Sequence, residues 1–263
     1  MLCLRARTGV RGCASARQVP LVTCCLALLL PLSASAADKA TKETFGSGGR
    51  TRTYYLLVPE SAKKAGSPPL IVLLHGSGRD GKSLLDPWTP LAKKEGIVLV
   101  APDAMTPQGW RVPEDGPEFL YDLVELIANQ IDVDRQRVYI FGHSAGAGHG
   151  LVMALLESEY FAAVAVHAGM LPESSYPMID RAARKTPIAM WIGTDDALFP
   201  LPVVRATRDA LKAHGFHPQL TELAAHTHNY YIRAGAINQE VWKFLQPIAL
   251  PNEPKYERYS YGR

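Results

Sequence analysis

No cysteine follows position 25. The four that exist are Cys3, Cys13, Cys24 and Cys25, all close to the N-terminus. Beyond them the chain can form no disulfide, hold no zinc through thiolate and use no cysteine nucleophile. An excess of one charge sign is also missing: 28 Lys and Arg face 25 Asp and Glu, a formal net charge of +3. Arg5, Arg7, Arg11 and Arg17 have no acidic partner among the first 36 residues, so only 24 basic residues face the 25 acidic ones beyond. A nucleic-acid-binding surface needs a concentrated basic patch, and the sequence has none. No long hydrophobic run exists either. The most apolar stretch, Leu21 to Leu32, is about 12 residues against the ~20 that cross a bilayer as a helix. Repeats and low-complexity segments are lacking. What remains is 47% hydrophobic and 20% charged, an ordinary globular balance that excludes a disordered chain.

The first 36 residues read as a secretory signal peptide. An arginine-bearing start precedes the apolar run, and Ala34-Ser35-Ala36 supplies the small-x-small pattern of a cleavage site. The alternative is an uncleaved anchor, which Pro31 and the short run disfavour. Cys24 and Cys25 lie inside the run rather than after it, which disfavours a lipid-modified N-terminus. The expectation is therefore export to the periplasm or the medium, with no stable membrane association after cleavage. Residues 37–263 are long enough for one self-sufficient core and are expected to form a single domain.

Within that domain, residues 37–42 read as a loose polar start. Thr44–Phe45 and Thr51–Val58 read as a hairpin around Gly46-Ser47-Gly48-Gly49. A connector rich in Lys, Ser, Gly and Pro follows. Leu70 to Leu74 is then wholly apolar, as a strand buried on both faces would be. Strand and helix patterns alternate from there: helices at 84–95, 118–130, 145–156, 200–214 and 234–245, and strands at 97–101, 137–141, 161–166, 188–192 and 219–223. This alternation predicts an α/β fold with a mostly parallel eight-stranded sheet covered on both faces and an antiparallel edge. The sequence does not place the segment from Pro251 to Arg263, which carries three tyrosines.

The sharpest chemical signal is Gly142-His143-Ser144-Ala145-Gly146, a G-x-S-x-G run between a strand and a helix. A tight strand-to-helix turn strains the serine backbone and points its hydroxyl outward, and bulky neighbours at 142 and 146 would clash. The competing reading is a glycine-rich turn with a capping serine. A serine hydroxyl needs a base, and the base needs an orienting carboxylate. In this fold class they follow in the order acid, then histidine. The candidates are Asp195 or Asp196 after the 188–192 strand, and His226 or His228 after the 219–223 strand. A His-x-His pair can also hold a metal. The waiting serine and the absence of thiolates argue against that, so neither a metal nor a cofactor is expected.

With these residues in view, the chain resembles the α/β-hydrolase superfamily, and within it the secreted esterases grouped with polyhydroxybutyrate depolymerases and feruloyl esterases. Val72-Leu73-Leu74-His75-Gly76 resembles the oxyanion strand of that family, and Ile131 to Tyr139 its lead-in to the nucleophile. The likeness runs from about Thr44 to Phe244. It implies Ser144 as nucleophile. The Gly-x-x-Asp pattern implies Asp196 rather than Asp195 as the acid. His228-Asn229-Tyr230-Tyr231, similar to the segment around the base in S-formylglutathione hydrolase-like esterases, implies His228 rather than His226. The amides of Ala145 and Ser77 are the expected oxyanion donors, with Gly78 the near alternative to Ser77. His75, His143 and Trp110 are candidate pocket residues, though core packing suits Trp110 and Trp88 as well. His167 is a further pocket candidate, and His149 follows on the helix among small residues.

The resemblance implies a serine carboxylesterase acting through an acyl-enzyme. Short-chain, hydroxycinnamoyl and hydroxyalkanoate esters, free or polymer-borne, all fit. Only about 20 residues separate the strands at 161–166 and 188–192, too few for a helical cap. A serine peptidase of the same fold is the first alternative. A non-catalytic binding module on a hydrolase scaffold is the second, and the retained serine and histidines weigh against it.

Overall fold

The computed structural model describes residues 38–64 and 66–259. The expected signal peptide lies outside them. Eight strands form one sheet in the order β1-β2-β4-β3-β5-β6-β7-β8. The antiparallel edge is a hairpin of β1 (Thr41–Ser47) and β2 (Arg50–Leu57), with Gly48 and Gly49 both at positive φ in the turn. Such a turn matches the twist of its strands only with left-handed backbone at both central residues. Strand β1 begins three residues before the sequence expectation. Polar Thr41, Lys42 and Glu43 pair with Leu56, Tyr55 and Tyr54, so ladder hydrogen bonds rather than burial set this end.

Strand β2 also runs antiparallel to β4 (Val98–Pro102). The other strands are parallel: β3 (Leu70–Leu74), β5 (Val138–His143), β6 (Ala163–His167), β7 (Ile188–Gly193) and β8 (Gln219–Leu223). A short helix, α1 (Glu60–Lys64), lies in the connector before β3, where the sequence predicts no element. It is followed by α2 (Gly81–Glu95), α3 (Pro117–Gln130), α4 (Ala145–Leu156), α5 (Leu201–Ala213) and α6 (Ala234–Leu245).

The period-2 alternation of strand side chains sorts the core into two layers. Leu70, Val72 and Leu74 face Phe119 and Leu123 of α3, Leu151 of α4 and Val204 of α5. Ile71 and Leu73 face Leu84 and Trp88 of α2 and Val241 of α6. Helix α4 lies deepest. A side chain at Gly150 would meet Ile140 and Val164 of the sheet at 3.2 and 3.6 Å, so glycine sets how closely this helix approaches.

Between β6 and β7 the only regular structure is a 3-10 segment, Glu173–Arg181, so no helical cap stands over the sheet. The tyrosine-rich end is anchored. Tyr256 stacks on Tyr121 of α3 at 4.0 Å, Tyr259 donates to the Leu156 carbonyl at 2.6 Å, and the Lys255 amide donates to the Glu159 carbonyl at 3.0 Å.

Candidate active site

The chain runs from β3 outward to β4, then returns to place β5 on the other side of β3. Crevices at the carboxyl ends of strands at such a switch point are where open α/β sheets bind ligands. Ser144 stands there, between β5 and α4, with φ 58° and ψ −118°. A non-glycine residue held at positive φ is strained. Gly142 and Gly146 permit the turn: a side chain at Gly142 would press on the Gly146 backbone, and one at Gly146 on the Leu74 carbonyl. The Ser144 amide donates to the His167 carbonyl at 3.0 Å, tying the turn to β6.

Ser144, His228 and Asp196 are brought into one hydrogen-bonded line. Ser144 Oγ lies 2.9 Å from His228 Nε2, and His228 Nδ1 lies 2.9 Å from Asp196 Oδ2. The carboxylate is buried, and its Oδ1 accepts from the Leu198 and Phe199 amides, both at 2.9 Å. These bonds fix its orientation. The His228 ring lies between Phe199 (5.5 Å, 14°) and His143 (5.1 Å, 37°).

The paired candidates at 195/196 and 226/228 separate by burial and direction. Asp195 is exposed and its Oδ1 accepts from Thr194 Oγ1. His226 is fully buried and its Nε2 meets His167 Nε2 at 3.0 Å. The His226 backbone still shapes the site, because its carbonyl accepts from the Asp195 amide at 2.9 Å. A side chain at Gly193 would collide with that carbonyl.

The loop after β3 carries the second expected oxyanion donor. The Gly78 amide already donates to the Pro107 carbonyl at 2.7 Å, which removes it as the alternative. The Ser77 amide has no partner among the described residues. Ala145 is the first residue of α4, where an amide has no intrahelical acceptor.

Three expected pocket residues are placed differently. His143 lines the cleft, an open depression of about 630 Å³ bordered by Ser77, Arg79, Leu198, His228 and Tyr231. His75 and Trp110 do not line it. His75 is buried, and its Nε2 accepts from the Ala104 amide at 3.0 Å. Trp110 donates to the His75 carbonyl at 2.8 Å and stacks on His149. Both instead tie the end of β3 to the segment after β4. His167, also expected near the pocket, is fully buried beneath it. Trp88 is core, packed on Phe141.

The segment 103–116 does not line the cleft but supports the loop after β3, a role that no sequence pattern marked. The carbonyls of Pro107 and Gln108 accept from the Gly78 amide and from Ser77 Oγ. A buried ion pair holds this segment: Arg52 on β2 meets Asp115 at 2.5 Å. Asp115 also accepts from the Met105 and Arg111 amides, both at 2.9 Å. The His149 ring reaches the Asp115 carbonyl at 2.7 Å, and burial holds its pKa down at about 4. An arginine and an aspartate 63 positions apart carried no motif that could have flagged them.

No group of three or more His, Cys, Asp or Glu among the described residues is arranged to hold a metal. Nor is any helix there long and apolar enough to cross a membrane.

Comparison with known proteins agrees with this architecture. NocK of Nocardia uniformis subsp. tsuyamanensis, named as a candidate esterase, is 26% identical over 217 residues, covering 77% of this chain and 62% of that protein. Poly(3-hydroxybutyrate) depolymerase of Ralstonia pickettii is 24% identical over 186 residues, covering 59% of this chain and 38% of that protein. The chain thus spans less than two thirds of either relative. A solved ferulic acid esterase shares the fold with a TM-score of 0.63 at 21% identity, covering 79% of this chain and 97% of that one. The model of the alpha/beta hydrolase family matches residues 71–257. With that match, the eight-stranded sheet and the strained serine turn at its switch point, the chain belongs to the alpha/beta hydrolase family.

Proposed function

We propose that the protein is an exported serine carboxylesterase. The observation that carries this reading is the Ser144–His228–Asp196 line, with both contacts at 2.9 Å, opening on an uncapped cleft. With its Nδ1–H donated in a hydrogen bond to Asp196, which stays ionised, His228 holds a lone pair at Nε2 for the Ser144 proton. Ser144 Oγ then bonds to the ester carbonyl carbon as His228 takes the proton. The resulting oxyanion is stabilised by the Ser77 and Ala145 amides, each worth on the order of 3 kcal/mol in the barrier. The C–O bond to the alcohol breaks, and the alcohol leaves with the proton from His228. Water, deprotonated by His228, repeats the attack on the acyl-enzyme and frees the acid and Ser144.

The cleft is open and uncapped, which favours compact acyl groups: short-chain, hydroxyalkanoyl and hydroxycinnamoyl esters, free or on a polymer. The leader supports export, with cleavage after Ala36.

The test is turnover of a 4-nitrophenyl ester series from acetate to octanoate, with a feruloyl ester and a matching anilide, by residues 37–263 and its Ser144→Ala variant. Ester turnover that peaks at short or hydroxylated acyl groups and vanishes in the variant is expected. Equal activity in the variant, or preference for the anilide, overturns the proposal.

A further inference from the structure

Three histidines beneath the cleft form a chain that the proposed ester chemistry does not use. In the parallel register of β5 and β6, His143 stands beside His167. Their Nδ1 atoms are 3.1 Å apart. His167 Nε2 lies 3.0 Å from His226 Nε2, which reaches in from the turn after β8. All three rings are buried. Burial first, then mutual repulsion, holds His167 at about 2, and burial with the nearby His228 holds His143 at about 4. Burial also lowers His226. Near neutral pH each ring is therefore uncharged and carries one proton.

A chain of singly protonated rings has only two proton arrangements, and its buried end selects between them. His226 Nδ1 has no partner among the described residues. A buried N–H without an acceptor is rarer in proteins than a lone pair without a donor. Nδ1 therefore bears the lone pair, and His226 carries its proton on Nε2. His226 then donates to His167 Nε2, so the His167 proton lies on Nδ1. His167 donates in turn to His143 Nδ1, which leaves the His143 proton on Nε2.

That last N–H is at the cleft. The His143 ring lines it, with no partner for Nε2 among the described residues. A side chain built at Gly76 would lie 3.5 Å from the adjoining ring carbon, Cδ2, and 3.2 Å from Ser144 Cβ. This ring edge therefore borders the reacting serine. Stacking on Tyr230 at 5.4 Å holds the ring in place.

We infer that His143 offers an Nε2–H donor to an acceptor oxygen of the bound ester beside Ser144, with His167 and His226 as positioning residues that fix this tautomer. The substrate class it selects is esters with a hydroxyl or ether oxygen near the scissile bond, over plain alkanoyl esters. The substrate contact rests on the esterase reading. The proton arrangement does not.

The arrangement is read from 15N spectra of the histidine-labelled resting protein near pH 7, assigned with His143→Gln and His226→Gln. Protons on Nε2, Nδ1 and Nε2 of His143, His167 and His226 are expected. A proton on His143 Nδ1 overturns the inference. Folded His167→Leu should show a mixed His143 tautomer, and an unchanged one refutes the positioning role.

The contact is read by KM for 4-nitrophenyl 3-hydroxybutyrate against butyrate. His143→Leu should raise KM about tenfold more for the hydroxylated ester than for butyrate, as loss of one hydrogen bond does. His143→Gln, which keeps a donor, should restore most of it. Equal changes for both esters, or none, overturn the contact. If the wild-type protein hydrolyses no ester, the esterase reading falls, and the tautomer pattern alone decides the histidine chain.

Discussion

Glu157 gives a stability prediction whose size follows from its surroundings. It ends α4 beneath the C-terminal segment and is only 2% exposed. Oε2 accepts from the Glu257 amide at 3.1 Å, while Oε1 is buried with no partner among the described residues. Burial pushes its pKa from 4.5 up to about 8. A raised carboxyl pKa means the native state binds the proton more tightly than the unfolded chain. Stability from this group is therefore complete below the unfolded value of 4.5 and is lost as pH rises towards 8. A tenfold change in proton affinity is worth about 1.4 kcal/mol, so the loss between about pH 5 and pH 8.5 is about 4 kcal/mol. Glu157→Gln removes the titration and keeps an acceptor for the Glu257 amide. Any constant offset of the amide cancels when the two pH values are compared. Urea unfolding of both proteins at the two pH values should show the variant gaining about 4 kcal/mol on the wild type as pH rises. The same stability difference at both pH values would refute the assignment of a buried, protonated carboxyl.

Two further substitutions probe the site and its frame. Asp196→Asn keeps the shape but cannot favour the imidazolium of His228; kcat for a short ester should fall about 10⁴-fold, with KM little changed. A fall below tenfold would show that Asp196 is not the orienting carboxylate. Arg52→Met leaves Asp115 buried without its cation and should cost about 3–5 kcal/mol in urea unfolding. A loss below about 1 kcal/mol would show that the 103–116 segment is held by its backbone contacts alone.

The fold was legible wherever local chemistry sets it. The wholly apolar run Leu70 to Leu74 reads as a strand buried on both faces, and it is one. The glycines around Ser144 announced a turn that no other residue could make, because Gly142 and Gly146 lie against backbone. The true start of β1 and the helix α1 were not legible, since polar residues there owe their structure to pairing partners rather than to their own pattern.

The site divides along the same line. Sequence alone determined the kinds of residue and their order: a serine in a forced turn, then aspartates and histidines at later strand ends. The resemblance implied Asp196 and His228, and the tertiary structure supplies the geometry: those two side chains are the members of each pair hydrogen-bonded in line with Ser144. Asp195 and Asp196 share a turn and differ in direction, as do His226 and His228, and direction is set by which amides and rings surround each side chain. The tertiary structure likewise took His75 and Trp110 out of the cleft and joined His143, His167 and His226. Strand register sets His143 beside His167, 24 positions apart, and the turn after β8 brings in His226 from 59 positions away. No local pattern records a register, because it is set by how whole strands pack.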